Sequence, residues 1–250
     1  MRGLFFRRAA AVIAIAAVFV TAAANAGAAD WSLTPYMWAT DISETLLLDG
    51  NEVGGDDTEF ADLVDVLDTS LQLHLEGVGE RWGVFGDVTY IELTDSAEGE
   101  LGFGRLDVEI EEMLVEAGLI WRGAGGPEGL ELLLGFRYLD VDEAYRLEIG
   151  ALPDPYQRRL NESYLDVLVG ARYNALLSPR WMVSLRGDVS AGGTDLTWTA
   201  QGLLGWRFGA KRNSAILAGY RYRELEYGKA GVLDVEKTLS GFVLGFKIGL

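Results

Sequence analysis

Apolar and polar residues alternate with a period of two along most of this chain. Leu71, Leu73 and Leu75 are spaced by Gln72, His74 and Glu76. Leu130, Leu132, Leu134, Phe136 and Tyr138 are spaced by polar or small residues that include Glu131, Gly135 and Arg137. Similar runs lie within 82–90, 113–121, 165–173, 181–189, 196–208, 216–222 and 242–250. A period of two is that of a β-strand, whose side chains point to opposite faces in turn. An opening strand near Trp31 to Thr40 alternates less cleanly and contains Pro35. The pattern therefore predicts ten strands. A soluble sandwich would set its apolar face against another apolar face. Here the second face carries Glu, Asp, Arg and Gly, which suits a wall between lipid and a polar interior. Aromatic residues near strand ends (Tyr90, Trp121, Tyr138, Tyr173, Trp181, Trp206, Phe208) fit interfacial girdles. The expected fold is all-β: an antiparallel up-and-down transmembrane β-barrel. Ten strands is the expectation. Eight or twelve stay open, because the first strand is weak and the first long connection can hold a hairpin.

The connections alternate in length. Short ones lie at 77–81, 122–129, 174–180 and 209–213, and longer ones near 41–68, 94–106, 143–160 and 225–236. Barrels of this type have short periplasmic turns and longer outer loops. The outer connection 191–195 is a short exception. Before the first strand, Arg2, Arg7 and Arg8 precede an uncharged stretch, Ala9 to Ala23, and the small-x-small sequence Ala24-Asn25-Ala26. This reads as a secretory signal peptide over 1–26, with the barrel over 27–250. The apolar stretch falls short of the ~20 residues of a spanning helix.

Composition narrows the chemistry. The 250 residues include no Cys and one His, with 49% hydrophobic residues and a net charge of −17. Thiol catalysis, disulfides and Cys-based zinc sites are excluded. The acidity argues against a nucleic-acid partner. Without 1–26 the chain keeps 38 acidic and 18 basic residues. No cofactor is implied.

A short repeat places charge inside. Gly135-Phe136-Arg137-Tyr138, Gly170-Ala171-Arg172-Tyr173, Gly205-Trp206-Arg207-Phe208, Gly219-Tyr220-Arg221-Tyr222 and Gly245-Phe246-Lys247-Ile248 share the pattern Gly-x-basic-apolar. Glycine and base share the inward face, and glycine leaves room for the long side chain. Glu76, Asp87, Glu116 and Glu131 are inward acids on the earlier strands, and Asp166, Arg186 and Asp188 share the polar face of theirs. The expectation is an interior charge network of Glu76, Asp87, Glu116, Glu131, Arg137, Asp166, Arg172, Arg186, Asp188, Arg207, Arg221 and Lys247, with an acidic wall facing a basic one. Buried charges persist when paired, so the network is expected to plug the lumen. An ion-selective or small-solute pore with two charged walls is the alternative.

Residues 41–68 hold ten acids and no Lys or Arg. Asp49-Gly50 is a hairpin-turn dipeptide. Asp56-Asp57-Thr58-Glu59 resembles a helix start, and Phe60, Leu63, Val64 and Leu67 follow at helical spacing. A long acidic outer loop with a short amphipathic helix is expected, as a lid on the barrel mouth. Divalent-cation binding and protein-partner binding are the other readings, although no calcium-loop motif is present. No catalytic or metal residue is assigned. Ten strands resemble the omptin surface proteases, but the lone His74 sits mid-strand, away from the outer rim that class uses.

Pro35-Tyr36-Met37-Trp38-Ala39-Thr40, Trp82-Gly83-Val84-Phe85-Gly86-Asp87, Val169-Gly170-Ala171-Arg172-Tyr173 and Asp195-Leu196-Thr197-Trp198 resemble segments of small proteobacterial outer-membrane β-barrel proteins, of OmpA-like and OmpW-like style. The resemblance spans most of the chain after residue 26. It implies a location in the cell outer membrane. The expectation is a monomer surrounded by lipid and lipopolysaccharide. The last strand resembles the signal read by the barrel-assembly machinery, with Leu250 where Phe is usual. No catalytic residue comes with the resemblance.

Overall fold

The computed structural model describes residues 29–48, 51–98, 104–123, 128–149, 156–229 and 233–250. The signal segment 1–26 and the Asp49-Gly50 turn lie outside the described residues. Among the described residues eleven strands form: β1 (Asp30–Leu48), β2 (Asn51–Thr58), β3 (Leu67–Val78), β4 (Trp82–Glu98), β5 (Gly104–Arg122), β6 (Gly129–Ile149), β7 (Tyr156–Leu176), β8 (Trp181–Gly192), β9 (Leu196–Phe208), β10 (Ser214–Lys229) and β11 (Leu233–Gly249). One helix, α1 (Phe60–Val66), joins β2 to β3. Consecutive strands pair antiparallel from β3 to β11, and β11 closes onto β1. The closed barrel thus has ten staves, with β2 as an extra strand folded back on the outer half of β1. Closure leaves no open edge in the hydrocarbon, where unpaired backbone groups are costly.

The seam at β1 is the irregular part of the wall. Its lower half pairs with β3 from Asp30↔Val78 to Pro35↔Leu73, and its upper half pairs with β2 from Ile42↔Thr58 to Leu48↔Asn51. Pro35 has no N–H to give to a ladder. The β1–β3 ladder stops there, and the β1–β11 ladder skips Thr34 and Pro35 without a change of register. Between the two ladders a side chain substitutes for a strand: the Trp38 N–H donates to Gln72 Oε1 at 2.8 Å.

Residues 41–68 are not a long loop. The first part remains in β1 and pairs with β11 out to Leu47↔Asp234. The helix has seven residues rather than about ten, and Phe60, Leu63 and Val66 are half-buried while Val64 and Leu67 are exposed. Glu59 provides no side-chain cap. Instead the Phe60 N–H donates to Asp41 Oδ1 at 2.8 Å, so the helix start is held by the neighbouring strand.

An outward apolar belt runs around the barrel. Exposed members include Met37, Leu71, Leu119, Leu134, Val167, Leu185, Leu204, Tyr220 and Phe242, the last 73% exposed. In a soluble protein such a surface would be anomalous; against lipid it is the required face. The belt ends within one strand step. Outward Ala39, Leu71, Tyr90, Met113, Tyr138, Leu165, Tyr222 and Phe242 give way to Asp41, Thr69, Glu92, Glu111, Asp140, Ser163, Glu224 and Ser240. Two girdle tyrosines bond across that boundary: Tyr90 Oη donates to Glu92 at 3.4 Å and Tyr222 Oη to Glu224 at 2.9 Å. Strands β4 to β7 continue well beyond the belt. The opposite end carries both chain ends of the sheet and the turns at 79–81, 177–180 and 209–213. Short turns mark the periplasmic end in this architecture.

Leu134→Arg, in mid-belt, is expected to lower unfolding free energy in bilayers by about 2–4 kcal/mol. Ser163→Arg, outward but past the belt, is expected to cost about 0–1 kcal/mol. Denaturant titration of the refolded barrel measures both; equal costs would place the lipid boundary elsewhere.

Candidate functional site

The inward faces of the staves build the interior from the periplasmic end upward. The first layer centres on Glu131. Its Oε2 accepts from Arg172 Nε at 2.6 Å and Asn174 Nδ2 at 3.0 Å, and its Oε1 from Arg122 Nε at 2.7 Å. Arg172 Nη1 also reaches Glu76 Oε2 across the lumen at 2.6 Å. In the sheet Glu131 is directly opposite Arg122 on one side and Arg172 on the other. Cross-strand neighbours of opposite charge stabilise the register they require.

The next layer holds the His. His74 Nδ1 lies 3.0 Å from Asp87 Oδ2, and His74 Nε2 lies 3.5 Å from Glu76 Oε2. Each ring nitrogen faces a carboxylate. Tyr36 Oη donates to Asp87 Oδ1 at 2.7 Å. Arg221 donates to Gln201 Oε1 at 2.6 Å, and its guanidinium lies 5.0 Å from the ring centres of Tyr36 and Trp38. Arg221 is opposite Gly241, where a Cβ would collide with the Ala39 carbonyl. Only glycine fits that place in the seam.

The third layer is the most buried. Glu116 is 1% exposed and Arg137 2%. Glu116 Oε1 accepts from Arg137 Nη2 at 2.9 Å and Arg223 Nη2 at 2.7 Å, and Oε2 accepts from Arg186 Nη2 at 2.8 Å. Asp188 takes Arg137 Nη2 at 2.6 Å and Arg186 Nε at 2.8 Å. Ser190 and Thr199 accept from Arg137 at 2.8 Å and 3.3 Å. Above this cluster the interior turns apolar, with Trp38, Leu114, Leu139, Val141, Leu225, Leu239 and Val243 in one packed layer. A gap of only about 20 Å³ separates Trp38, Gln72, Leu114 and Arg223.

Beyond the belt, inside the projecting strands, Lys237 Nζ meets Glu112 Oε2 at 2.7 Å. Burial works against the ammonium, but Glu112, then Tyr227 and Glu44, hold its pKa above the ordinary lysine range. Burial pushes the Glu44 carboxyl up.

Alongside the lower charged layers runs a large cavity of about 980 Å³, open at the periplasmic end and bordered by Glu76, Arg122, Arg172 and Arg186. It runs up to Tyr36, His74, Asp87 and Arg221. On one side the lumen is filled by Val78, Phe85, Ile120, Leu133 and Leu168. The open volume therefore lies along the other walls.

The structure brings Glu76, Glu131 and Arg172 together in one layer, and Glu116, Arg137, Arg186 and Asp188 in another. Four of the twelve named residues form no ion pair among the described residues: Arg221, held in the His74 layer by Gln201, and three others. Asp166 is buried but joins no ion pair among the described residues. It accepts from the Gly193 and Thr194 amides, both at 2.9 Å, and from the hydroxyls of Thr194 and Ser190 at 2.6 Å and 2.9 Å. It clamps the short 191–195 turn, whose amides need an acceptor. Arg207 donates to the Arg212 carbonyl at 2.9 Å, and Lys247 lines the cavity; neither forms an ion pair among the described residues. Nor are there two opposed walls of charge. Glu116 and Arg137 are adjacent cross-strand partners, and Asp87 sits opposite Glu116, acid beside acid.

Arg223, Arg122 and His74 belong to the layers without having been named among their charges. Arg223 falls outside the Gly-x-basic-apolar pattern, yet the period of two from Arg221 puts it on the same inward face. The grouped carboxylates among the described residues, Glu92, Glu109 and Glu111, lie past the belt and not within 41–68.

No protein-family model and no curated protein matches the chain. Solved outer-membrane barrels are similar to it in fold. The outer-membrane protease OmpT from Escherichia coli aligns at 8% identity and TM-score 0.46, over 89% of this chain and 97% of that one. The translocator domain of the autotransporter NalP from Neisseria meningitidis aligns at 15% identity and TM-score 0.47, over 87% and 88%. Ail, the attachment invasion locus protein of Yersinia pestis, aligns at 10% identity and TM-score 0.39, over 88% and 99%.

Arg137→Met leaves Glu116 and Asp188 short of a buried partner. It is expected to cost about 3–5 kcal/mol in unfolding free energy. Arg105→Ala removes an exposed pair with Asp107 and is expected to cost about 0–1 kcal/mol. Urea titration in detergent or bilayer, read by gel mobility of unheated samples, gives both values.

Proposed function

We propose that the chain is an exported outer-membrane barrel with a closed lumen, whose role is structural or lies in surface interaction rather than in transport or catalysis. The observation that carries this reading is the filled cross-section at Glu116. Five interlocked charged side chains, Glu116, Arg137, Arg186, Asp188 and Arg223, sit beneath a packed apolar layer. A solute would have to break buried ion pairs and then cross an apolar constriction, and both steps are costly. The engagement of both His74 nitrogens by carboxylates supports a non-catalytic role for the one His.

The remaining parts of the reading follow from sequence and surface. Residues 1–26 direct export and are removed. Lipid and lipopolysaccharide surround the belt, the assembly machinery reads β11, and the barrel works as a monomer, which the closure of its sheet within one chain permits. Strands projecting past the membrane present an acidic outer surface, the part that meets the cell's surroundings. Divalent cations are the small partners such a surface attracts.

In planar bilayers the refolded protein is expected to give no steady conductance. The triple change Leu114→Gly, Leu225→Gly and Leu239→Gly, which thins the apolar layer, is expected to give measurable current. Steady conductance from the unaltered protein would overturn the closed reading in favour of a small-solute or ion channel.

A further inference from the structure

The periplasmic cavity is basic in an acidic protein. Nine Lys and Arg side chains line it, against four acidic side chains, Asp30, Glu76, Glu80 and Asp87. Those nine are half of the 18 basic residues that follow residue 26. Two of the carboxylates are already engaged, Glu76 by Arg172 and His74, and Asp87 by His74. Arg81, Arg207, Lys211, Arg212, Arg221 and Lys247 line the cavity and form no ion pair among the described residues. A concave, low-dielectric wall of one sign focuses its field and draws counter-ions.

The arrangement is more specific than an excess of charge. Ala215 of β10 is directly opposite Arg207 of β9 on one side and Lys247 of β11 on the other. All three face inward, so the two cations stand in one cross-strand row with only a methyl group between them. Adjacent strands are about 4.8 Å apart, so the two backbones are roughly 10 Å apart, and both long side chains reach over Ala215. In the next row up, Leu217 stands between Gly205 and Gly245; Met182 and Leu217 pack against Gly205, and Thr34 and Tyr36 against Gly245. Below, the β9–β10 turn adds Lys211 and Arg212. Arg212 has φ 52, a left-handed backbone that an L side chain adopts at a cost. Its carbonyl receives the Arg207 Nε at 2.9 Å, which fixes the Arg207 guanidinium in plane and leaves its other N–H groups to the cavity. Trp31, Leu176, Met182 and Leu217 give the same cavity apolar wall.

We propose that this vestibule binds a small organic phosphate from the periplasmic side: one or two phosphates on a ring-bearing or partly apolar body. Arg207, with Lys247 across Ala215, holds the phosphate, and Lys211 and Arg212 add charge at the entrance. A guanidinium fork matches phosphate oxygens in pairs, and Lys supplies a point charge beside it. The volume of about 980 Å³ exceeds what an inorganic anion needs and suits a ligand of nucleotide size. Two sources share this chemistry, a soluble phosphate ester and the headgroup of an anionic lipid.

The test is calorimetric titration of the full-length, detergent-refolded barrel with uridine diphosphate, with uridine and pyrophosphate as partial ligands. Uridine diphosphate is expected to bind, more weakly as salt rises, and uridine is expected not to bind. Arg207→Gln with Lys247→Gln is expected to weaken binding at least tenfold, whereas Arg207→Lys retains more of it. Arg105→Gln and Arg159→Gln, at the far end of the barrel, are expected to leave it unchanged. If the double variant does not refold, as read by gel mobility, Arg212→Gln at the exposed turn is expected to weaken binding at least threefold. Micelles doped with phosphatidylglycerol distinguish the sources. Competition with uridine diphosphate assigns the site to a headgroup, and undiminished binding assigns it to a soluble ester. No binding by uridine diphosphate and pyrophosphate alike, or binding that survives loss of the cations, overturns the proposal.

Discussion

A carboxylate in a dry barrel interior must find its counter-charges or not be there. Glu116 is buried to 1% exposure, and guanidiniums from three staves converge on it: Arg137 of β6, Arg186 of β8 and Arg223 of β10. An uncompensated buried charge costs several kcal/mol, more than one membrane strand gains by a slightly better fit elsewhere. The ion cluster therefore selects register. A slip of one residue would send each charge to lipid and each lipid-facing side chain inward. Because Glu116 ties β5 to staves on the far side of the lumen, it selects closure as well as pairing. The apolar belt outside and the paired charges inside are two consequences of one alternation.

That alternation is what the sequence makes legible. A period of two with charges on the second face distinguishes a membrane wall from a sandwich, and it locates the ten staves, the first less cleanly than the rest. It also reveals which charges point inward. It does not reveal which inward charges meet, because that depends on stagger between strands distant in sequence. Glu131 lies between Arg122 and Arg172 through its own neighbours, whereas Arg186 reaches Glu116 across the lumen. A picture of opposed walls misses the first kind of contact. Asp166 illustrates a second limit. Its place on the inward face is readable, but its partners are turn amides supplied by the shortness of 191–195. Residues 41–68 illustrate a third. The weak alternation after Thr40 hides the continuation of β1, which is stabilised by pairing with β11 and β2 rather than by a lipid-facing stripe.

The interior is not filled evenly along its axis. Large apolar side chains occupy the level of Trp38, Leu114 and Leu239, while the periplasmic half alternates charge with glycine. The same Gly-x-basic-apolar unit thus has two outcomes. Where carboxylates stand opposite, as for Arg137 and Arg172, the base is consumed in a pair. Where none does, as for Arg207 and Lys247, the base lines the cavity without an ion pair among the described residues. Local sequence is the same; the difference lies in what the neighbouring stave presents.

This difference also resolves how a chain of net charge −17 can carry a basic cavity. The acids gather past the belt, on the outward faces of β4 to β6 and along β1 and β2, at the end remote from the short turns. Half of the basic residues after residue 26 gather at the opposite end. Exposed charges separated by more than about 8–10 Å are largely screened at physiological salt. The two ends therefore act as separate electrostatic surfaces, and the net charge of the whole describes neither. An anion approaching from the periplasm meets a concave basic wall, and the acids at the far end of the barrel do little to repel it. The layer around Glu116 maintains this separation. It stands between the two surfaces, and it supplies the pairing that lets both halves fold in register.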